Sequence, residues 1–382
     1  MAPEISMLAR NRLWDTGLAG KPARGDPKGR PRPRPARQAS HDYLAKSKGD
    51  LRRARVLVSL QAQIYPPCKE YCMPRLSRRI RLAALVLAWL CPVWSTPVAA
   101  EENGGRQWSA ELGVGVEYDS NVSVDEVDVT SSQGDYALTL DAGFALKQPL
   151  SGSANAALTY DFSSSNYREF SEVDRQTHMF GLDLNVSYAG MNPGITLYYI
   201  DSRLDGSQFL QLSRYSPYVS GFLSKRWFAR GAYVYSDKTI QNQEARDATT
   251  HAGEGDLYFF VRGLRTYFNF GYRYRNENAR ADQYDYLSNA VKLRFIQRFE
   301  LFSRLTKLEL AWRYEDRKYQ SDTPSIGEKR HDQRNRLRVD YQIPVFARGA
   351  IQFFAGYADY DSNYPPAAYD QTLVGTRFFY TW

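Results

Sequence analysis

The sequence predicts an all-β fold: a closed antiparallel transmembrane barrel of about 14 strands, wound as an up-and-down meander. Three observations predict it: a last strand that ends on Trp382, alternating runs at even spacing, and aromatic residues gathered at matching ends of those runs.

Trp382, Tyr380, Phe378, Thr376 and Val374 fall on every second position, and the residues between them are small or polar except Phe379. Period-2 alternation makes one apolar face on a strand. An aromatic last residue looks like the C-terminal signature of bacterial outer-membrane barrels, which implies the barrel-assembly machinery as a partner through this strand.

The runs lie near 107–118, 135–147, 153–163, 177–188, 194–201, 214–223, 226–236, 251–262, 264–275, 285–298, 305–316, 332–343, 349–360 and 371–382. At about 20 residues per strand and connection, each strand is long enough to cross a bilayer. Connections after even-numbered runs are short and turn-like. Those after odd-numbered runs are mostly long and polar, as at 119–134, 237–250 and 317–331. Short periplasmic turns alternating with long extracellular loops are the rule for such barrels, with both termini in the periplasm.

Alternation alone does not say which face is outside. The aromatics do. Tyr118, Tyr160, Tyr199, Tyr235, Tyr274, Tyr314 and Tyr357 stand toward the ends of the outbound runs, and Trp108, Trp227 and Trp382 stand at the opposite ends. A ring with an apolar body and a polar tip is favoured where hydrocarbon meets headgroup, so these residues form an aromatic girdle. The apolar set then faces outer-membrane lipid, and the charged set faces a lumen.

The expected lumen has a basic wall of Arg265, Arg273, Arg275, Lys292, Arg294, Arg298, Lys307, Arg313, Arg336 and Arg338. Acidic lumen residues are Glu111, Glu117, Asp119, Glu309, Glu315 and Asp340. Rings of charge select what passes a pore. The same mixed charges are also expected to pair across the wall as an Arg/Glu ladder that braces it.

Chain-wide charge misleads. Residues 1–100 hold 19 Lys and Arg against 6 Asp and Glu, whereas 101–382 hold 31 against 36, so no nucleic-acid partner is expected. Residues 1–72 read as a disordered extension, an overcalled start ahead of Met73. Residues 73–100 have the basic, apolar and small-residue parts of a signal peptide cleaved after Ala100. Residues 101–382 are the barrel. All three cysteines precede residue 101, so no thiolate metal site is expected in it.

Little else suggests chemistry. His178, His251 and His331 fall at the extracellular ends of their strands, with Glu254 and Asp256 near His251 in sequence, but no spacing singles out a nucleophile. The acidic run 119–128 lacks the Gly and terminal Glu of an EF-hand loop and reads as a solvated loop. No cofactor, no metal and no enzymatic activity are expected.

Gly113-Val114-Gly115-Val116-Glu117-Tyr118-Asp119-Ser120-Asn121-Val122 resembles the first-strand box of the C-terminal barrel of the surface lipoprotein assembly modifier family. It is also similar to exopolysaccharide-export barrels. The runs 235–238, 246–248, 271–274 and 284–286 resemble the first type as well. The resemblance implies a Gram-negative outer-membrane location and a surface lipoprotein partner, while the helical-repeat domain that usually precedes such barrels has no counterpart here.

The residues themselves point first to a porin-like channel or export pore for anionic solute or polysaccharide. The alternatives are a surface (lipo)protein translocation modifier and a rim-sited hydrolase.

Overall fold

The computed structural model describes residues 105–301 and 303–382; the expected extension and signal peptide lie outside the described residues. Among the described residues there are sixteen strands. They are β1 (Gln107–Asp119), β2 (Ser123–Val124), β3 (Val129–Thr130), β4 (Asp135–Ser151), β5 (Ala154–Tyr167), β6 (Arg175–Val186), β7 (Met191–Leu204) and β8 (Ser207–Phe222). The second half holds β9 (Trp227–Ile240), β10 (Ala248–Phe260), β11 (Thr266–Ala279), β12 (Tyr286–Leu301), β13 (Arg304–Thr323), β14 (Glu328–Phe346), β15 (Gly349–Ser362) and β16 (Tyr369–Thr381). Fourteen of them close one antiparallel barrel in sequence order, with β16 paired to β1. The small β2–β3 hairpin stands apart. Closure leaves no sheet edge, which is what hydrocarbon demands of backbone polar groups.

The sheet settles the inside-out question. On β11, Phe270, Tyr272 and Tyr274 are exposed on the outer surface, while Asn269 and Arg273 are buried. On β14, Leu337 points out, and Arg334, Arg336 and Arg338 line the interior. The apolar side chains therefore cover the outer wall, as in a lipid-facing barrel and unlike a soluble one. Of the residues expected to form the girdle, Tyr199, Tyr274 and Tyr357 are exposed toward the ends of the outbound strands, and Trp108 and Trp382 at the opposite end. Tyr118 lies beside Tyr136 of β4, with ring centroids 5.0 Å apart, and Tyr160 lies beside Phe180 of β6 at 4.9 Å. Trp227 packs on Phe259 at 4.6 Å, Tyr235 lies 6.1 Å from Tyr215, and Tyr314 pairs across to Val291.

Of the long connections expected from sequence, half of 237–250 and most of 317–331 are strand. β9 and β10 leave only 241–247 between them, and β13 and β14 leave only 324–327. The physical reason is that, Ile240 and Tyr319 apart, both faces of these segments are polar. That composition marks where the chain leaves lipid, not where it leaves the sheet, and the wall continues above the bilayer. The connection between β7 and β8 is likewise only Asp205-Gly206.

The closing seam is tight. A Cβ at Gly115 of β1 would lie 2.5 Å from the Thr376 carbonyl oxygen, and one at Gly375 of β16 would lie 2.6 Å from the Val116 carbonyl oxygen. The backbone cannot move aside as a side-chain tip can. Gly375→Val is therefore expected to destabilise closure by about 1–3 kcal/mol. The check is an earlier loss of the fast-migrating folded band when samples are warmed before electrophoresis; an unchanged transition would contradict the tight seam.

Candidate functional site: the lumen and its inward loop

The Tyr118-Asp119-Ser120-Asn121-Val122 box turns the chain into the barrel. The Asn121 N–H donates to Asp119 Oδ1 at 3.0 Å, and the Gln371 amide donates to both Asp119 carboxylate oxygens at 2.9 and 2.8 Å. Asn121 Nδ2 donates to the Asp370 carbonyl at 3.1 Å, and the Ser132 N–H donates to Asn121 Oδ1 at 2.9 Å. Each polar member of the box thus ties the base of the 120–134 loop to β16 or to its own return limb. This loop is not the solvated segment expected from its acidity. Val122 and Val124 are buried, and Val124 packs with Phe209 and Ile240 of β8 and β9, five and six strands round the wall from β1.

Arginines of β6, of β14 and of the 241–247 connection receive the loop tip. Asp125 accepts from Arg336 at 2.5 Å and from the hydroxyls of Tyr360, at 3.0 Å, and Tyr369. Glu126 is held by both terminal nitrogens of Arg175, at 3.2 and 2.8 Å. Asp128 accepts from Arg246 at 2.8 Å and from Arg330 at 2.9 and 2.8 Å. Paired, planar contacts of this kind are the strong charge-assisted bonds. The guanidiniums are stiffened in turn: Arg330 sits over Tyr319 and Tyr364, Arg246 over Tyr284, and Arg334 and Arg336 over Tyr360, all within 4.9 Å.

These contacts set the loop's response to acid. Burial pushes the Asp125 carboxyl up, but the Arg336 and Arg334 charges outweigh it and hold it down at about 2. Burial likewise opposes ionisation of Asp128, and the Arg330 hydrogen bonds and charge, with Arg246, hold it at about 2. A carboxyl with a lowered folded-state value contributes stability above its ordinary value of 3.8, and that contribution is lost as pH falls toward 2. The loop is expected to stay docked from pH 8 to 5 and to loosen only below about 3. Thiol labelling of a Val127→Cys variant across that range checks this; accessibility rising already between pH 7 and 5 would contradict it.

Below the loop, a cavity of about 870 Å³ runs toward the periplasmic end. Eight of the expected basic-wall residues line it: Arg273, Arg275, Lys292, Arg294, Lys307, Arg313, Arg336 and Arg338. Arg265 and Arg298 do not. Arg265 is in the 261–265 turn, paired with Glu300 at 3.6 Å, and Arg298 donates to the Leu264 carbonyl. Alternation carries on beyond the lumen, past the strand end for Arg265 and within the last residues of β12 for Arg298. Glu111, Glu117, Glu309 and Asp340 also line the cavity, Glu315 is buried in its wall, and Asp119 sits at the loop base.

The wall charges form a ladder. Glu254 lies between Arg214 at 2.8 Å and Arg273 at 2.7 Å; Glu309 between Arg294 and Lys307; Glu315 between Arg317 at 2.9 Å and Arg313 at 3.4 Å. Lys292 pairs with Asp256, Lys238 with Glu277, Arg338 with Asp340, and Arg377 with Glu117. Fifteen Arg and Lys against eleven Asp and Glu line the cavity, so positive charge remains in excess after bracing.

Several of these residues escaped the sequence. Arg334 continues the Arg336–Arg338 alternation, and Arg317 continues that of Arg313, so the period-2 signal could have found them. Arg175 lay just ahead of its expected run, while Arg246 and Arg330 sat in segments read as connections.

The three histidines face outward. His178 meets the Tyr160 hydroxyl at 2.9 Å, His251 the Tyr233 hydroxyl at 2.5 Å, and His331 meets Asp316 at 2.5 Å. His251 and Glu254 stand on opposite faces of β10, because three residues separate them on a strand of period 2. Among the described residues no group of three His, Cys, Asp or Glu is placed to hold a metal ion. Asp125 and Asp128, the loop's acidic candidates, are engaged by arginine instead.

The family profile described as surface lipoprotein assembly modifier matches residues 108–343, from the first barrel strand to the lipid-facing half of β14 and over more than half of the chain. The chain belongs to the surface lipoprotein assembly modifier family. Its closed barrel, with an apolar outer wall, places this family member in the outer membrane of a Gram-negative bacterium. No curated protein matches it significantly in sequence. Among solved structures, it is similar to an anion-selective porin from Comamonas acidovorans, at 9% identity over 72% of this chain and 99% of that one, with a TM-score of 0.42. It is also similar to OmpT, an outer-membrane protein of Vibrio cholerae, at 9% identity over 72% and 97%, with a TM-score of 0.44. CdiB from Acinetobacter baumannii is matched at 9% identity over 72% and 60%, with a TM-score of 0.40. At these identities and scores, the likenesses carry no argument about what this surface lipoprotein assembly modifier family member transports or binds.

Proposed function

We propose that this barrel serves the assembly of lipoproteins at the cell surface as a translocation modifier whose lumen is shut at rest. The observation that carries this reading is the 120–134 loop, drawn across the lumen and held by Arg175, Arg246, Arg330 and Arg336. A diffusion pore works with an unobstructed path, whereas a device that acts on a client needs a path that opens on demand. Family membership supplies the client class. On this proposal strand β16, whose residues alternate apolar and polar beside the exposed Trp382, is the segment offered to the barrel-assembly machinery.

The test is genetic and topological. Removing the protein from its host is expected to leave a surface lipoprotein inaccessible to external protease in intact cells, and the full-chain protein is expected to restore access. Unchanged surface display after removal overturns the proposal.

A second reading, conductance of anionic solute or polysaccharide, is favoured by the excess of basic over acidic side chains lining the cavity. It requires that the unaltered protein conduct in planar bilayers with anion selectivity. Silence of the unaltered protein favours the first reading. The outward histidines give a rim-hydrolase reading no support.

A further inference from the structure

The short turns carry a charge pattern that neither the lumen nor the family accounts for. From β8 to β15, the periplasmic rim exposes Lys225, Arg226, Arg262, Arg265, Arg304 and Arg348, with Glu300 as the exposed acid among them. The other arc is different: the turns 152–153 and 187–190 carry no charge. The opposite, extracellular edge leans acidic, with Glu169, Glu172, Glu244 and Asp282 exposed. Apart from Arg106, the exposed cations of the periplasmic rim therefore lie on the one arc from β8 to β15, while those of the extracellular rim, such as Arg168 and Arg203, stand among more numerous acids.

That arc has a corner built for a bilayer interface. The turn 223–226 lies beside the turn 261–265, tied by the Phe260 N–H donating to the Arg226 carbonyl at 2.9 Å. Phe222, Leu223, Val261 and Leu264 are exposed there. On the lipid-facing side Trp227 packs on Phe259 at 4.6 Å, whereas Phe222 and Phe228, 5.2 Å apart, stand on the lumen-facing side of the sheet. Lys225, Arg226 and Arg262 are exposed in the two turns beside Trp227, and none of the three is ion-paired among the described residues. Apolar rings that enter the acyl boundary fix the depth of the neighbouring cations at the headgroup phosphates.

We infer that the corner formed by Lys225, Arg226 and Arg262 over Trp227 is a binding site for anionic phospholipid headgroups of the periplasmic leaflet. Charge complementarity and continuity with the lipid-facing wall point to lipid as the occupant. A basic cluster at a membrane surface attracts anionic headgroups, and the attraction is screened by salt. This inference is independent of the client proposed above.

The test uses the full-chain protein in phosphatidylcholine vesicles containing an equal share of either dibrominated phosphatidylglycerol or dibrominated phosphatidylcholine. The emission of Trp227 is taken as the difference from a Trp227→Phe variant. Brominated phosphatidylglycerol is expected to quench it roughly fivefold more effectively than brominated phosphatidylcholine. The preference is expected to fall to near unity in Lys225→Gln/Arg226→Gln/Arg262→Gln, and in the unaltered protein at about 1 M salt. An Arg168→Gln/Arg203→Gln control on the other rim is expected to keep it. If the triple variant does not fold, the salt titration decides. Equal quenching by the two lipids in the unaltered protein overturns the inference; an acidic periplasmic protein as the true occupant would give that result. A preference that survives in the folded triple variant, or at about 1 M salt, overturns it as well.

Discussion

Neutralising the loop tip is expected to open the barrel. With Asp125→Asn and Asp128→Asn combined, planar-bilayer recordings of the full-chain protein should change from long silent intervals to sustained conductance. The substitutions keep size and some hydrogen bonding but remove both charges that Arg336, Arg246 and Arg330 now hold. Breaking one partner of a buried ion pair costs about 3–5 kcal/mol. Two features reduce that here: Asp125 is partly open to the cavity, and Arg330 keeps Asp332 at 2.8 Å. A net loss of about 2 kcal/mol still changes the ratio of open to closed loop by more than tenfold. Glu172→Gln, a change of one exposed charge outside the latch, should leave the recordings as they were. Conductance that is the same in all three proteins would mean that the loop is not what closes the mouth.

The largest stability effect is expected at Glu315→Gln. Glu315 is 0% exposed on β13, and it accepts from Arg317 at 2.9 Å and Arg313 at 3.4 Å, with Arg275 at 4.0 Å. Converting it to an amide leaves a cluster of guanidiniums without its anion, the situation in which a broken buried pair costs about 3–5 kcal/mol. The folded band in warmed electrophoresis samples should be lost at a clearly lower temperature. Glu315→Met combined with Arg317→Met should recover part of the loss, because removing both members of a buried pair is far less costly than removing one. If the single variant melts with the unaltered protein, the ladder does not brace the wall.

Both predictions concern charge, and charge is where sequence and structure part company. The alternation of Arg336 and Arg338 with Leu337, or of Glu309 and Arg313 with Leu310 and Trp312, was legible because a strand repeats every two residues. Local chemistry alone then sorts the two faces. The aromatic ends of the strands told which face meets lipid for an equally local reason: a ring with a polar tip has one favoured depth. Where that local rule lapses, the reading lapsed with it. Arg265 continues the pattern into a turn, Arg298 stands near the end of β12 and reaches back to that turn, and the stretches 237–240 and 317–323 continue the sheet.

The sequence by itself determined a fourteen-stranded barrel, its inside and its outside, and the Tyr118–Val122 box at the end of its first strand. Tertiary structure alone decided what the box is for. The acids at 125, 126 and 128 meet arginines 175, 246, 330 and 336, which are distant along the chain and come from different parts of the wall. No spacing in a single chain encodes a contact made only when a sheet closes into a cylinder and brings opposite walls within reach of one loop.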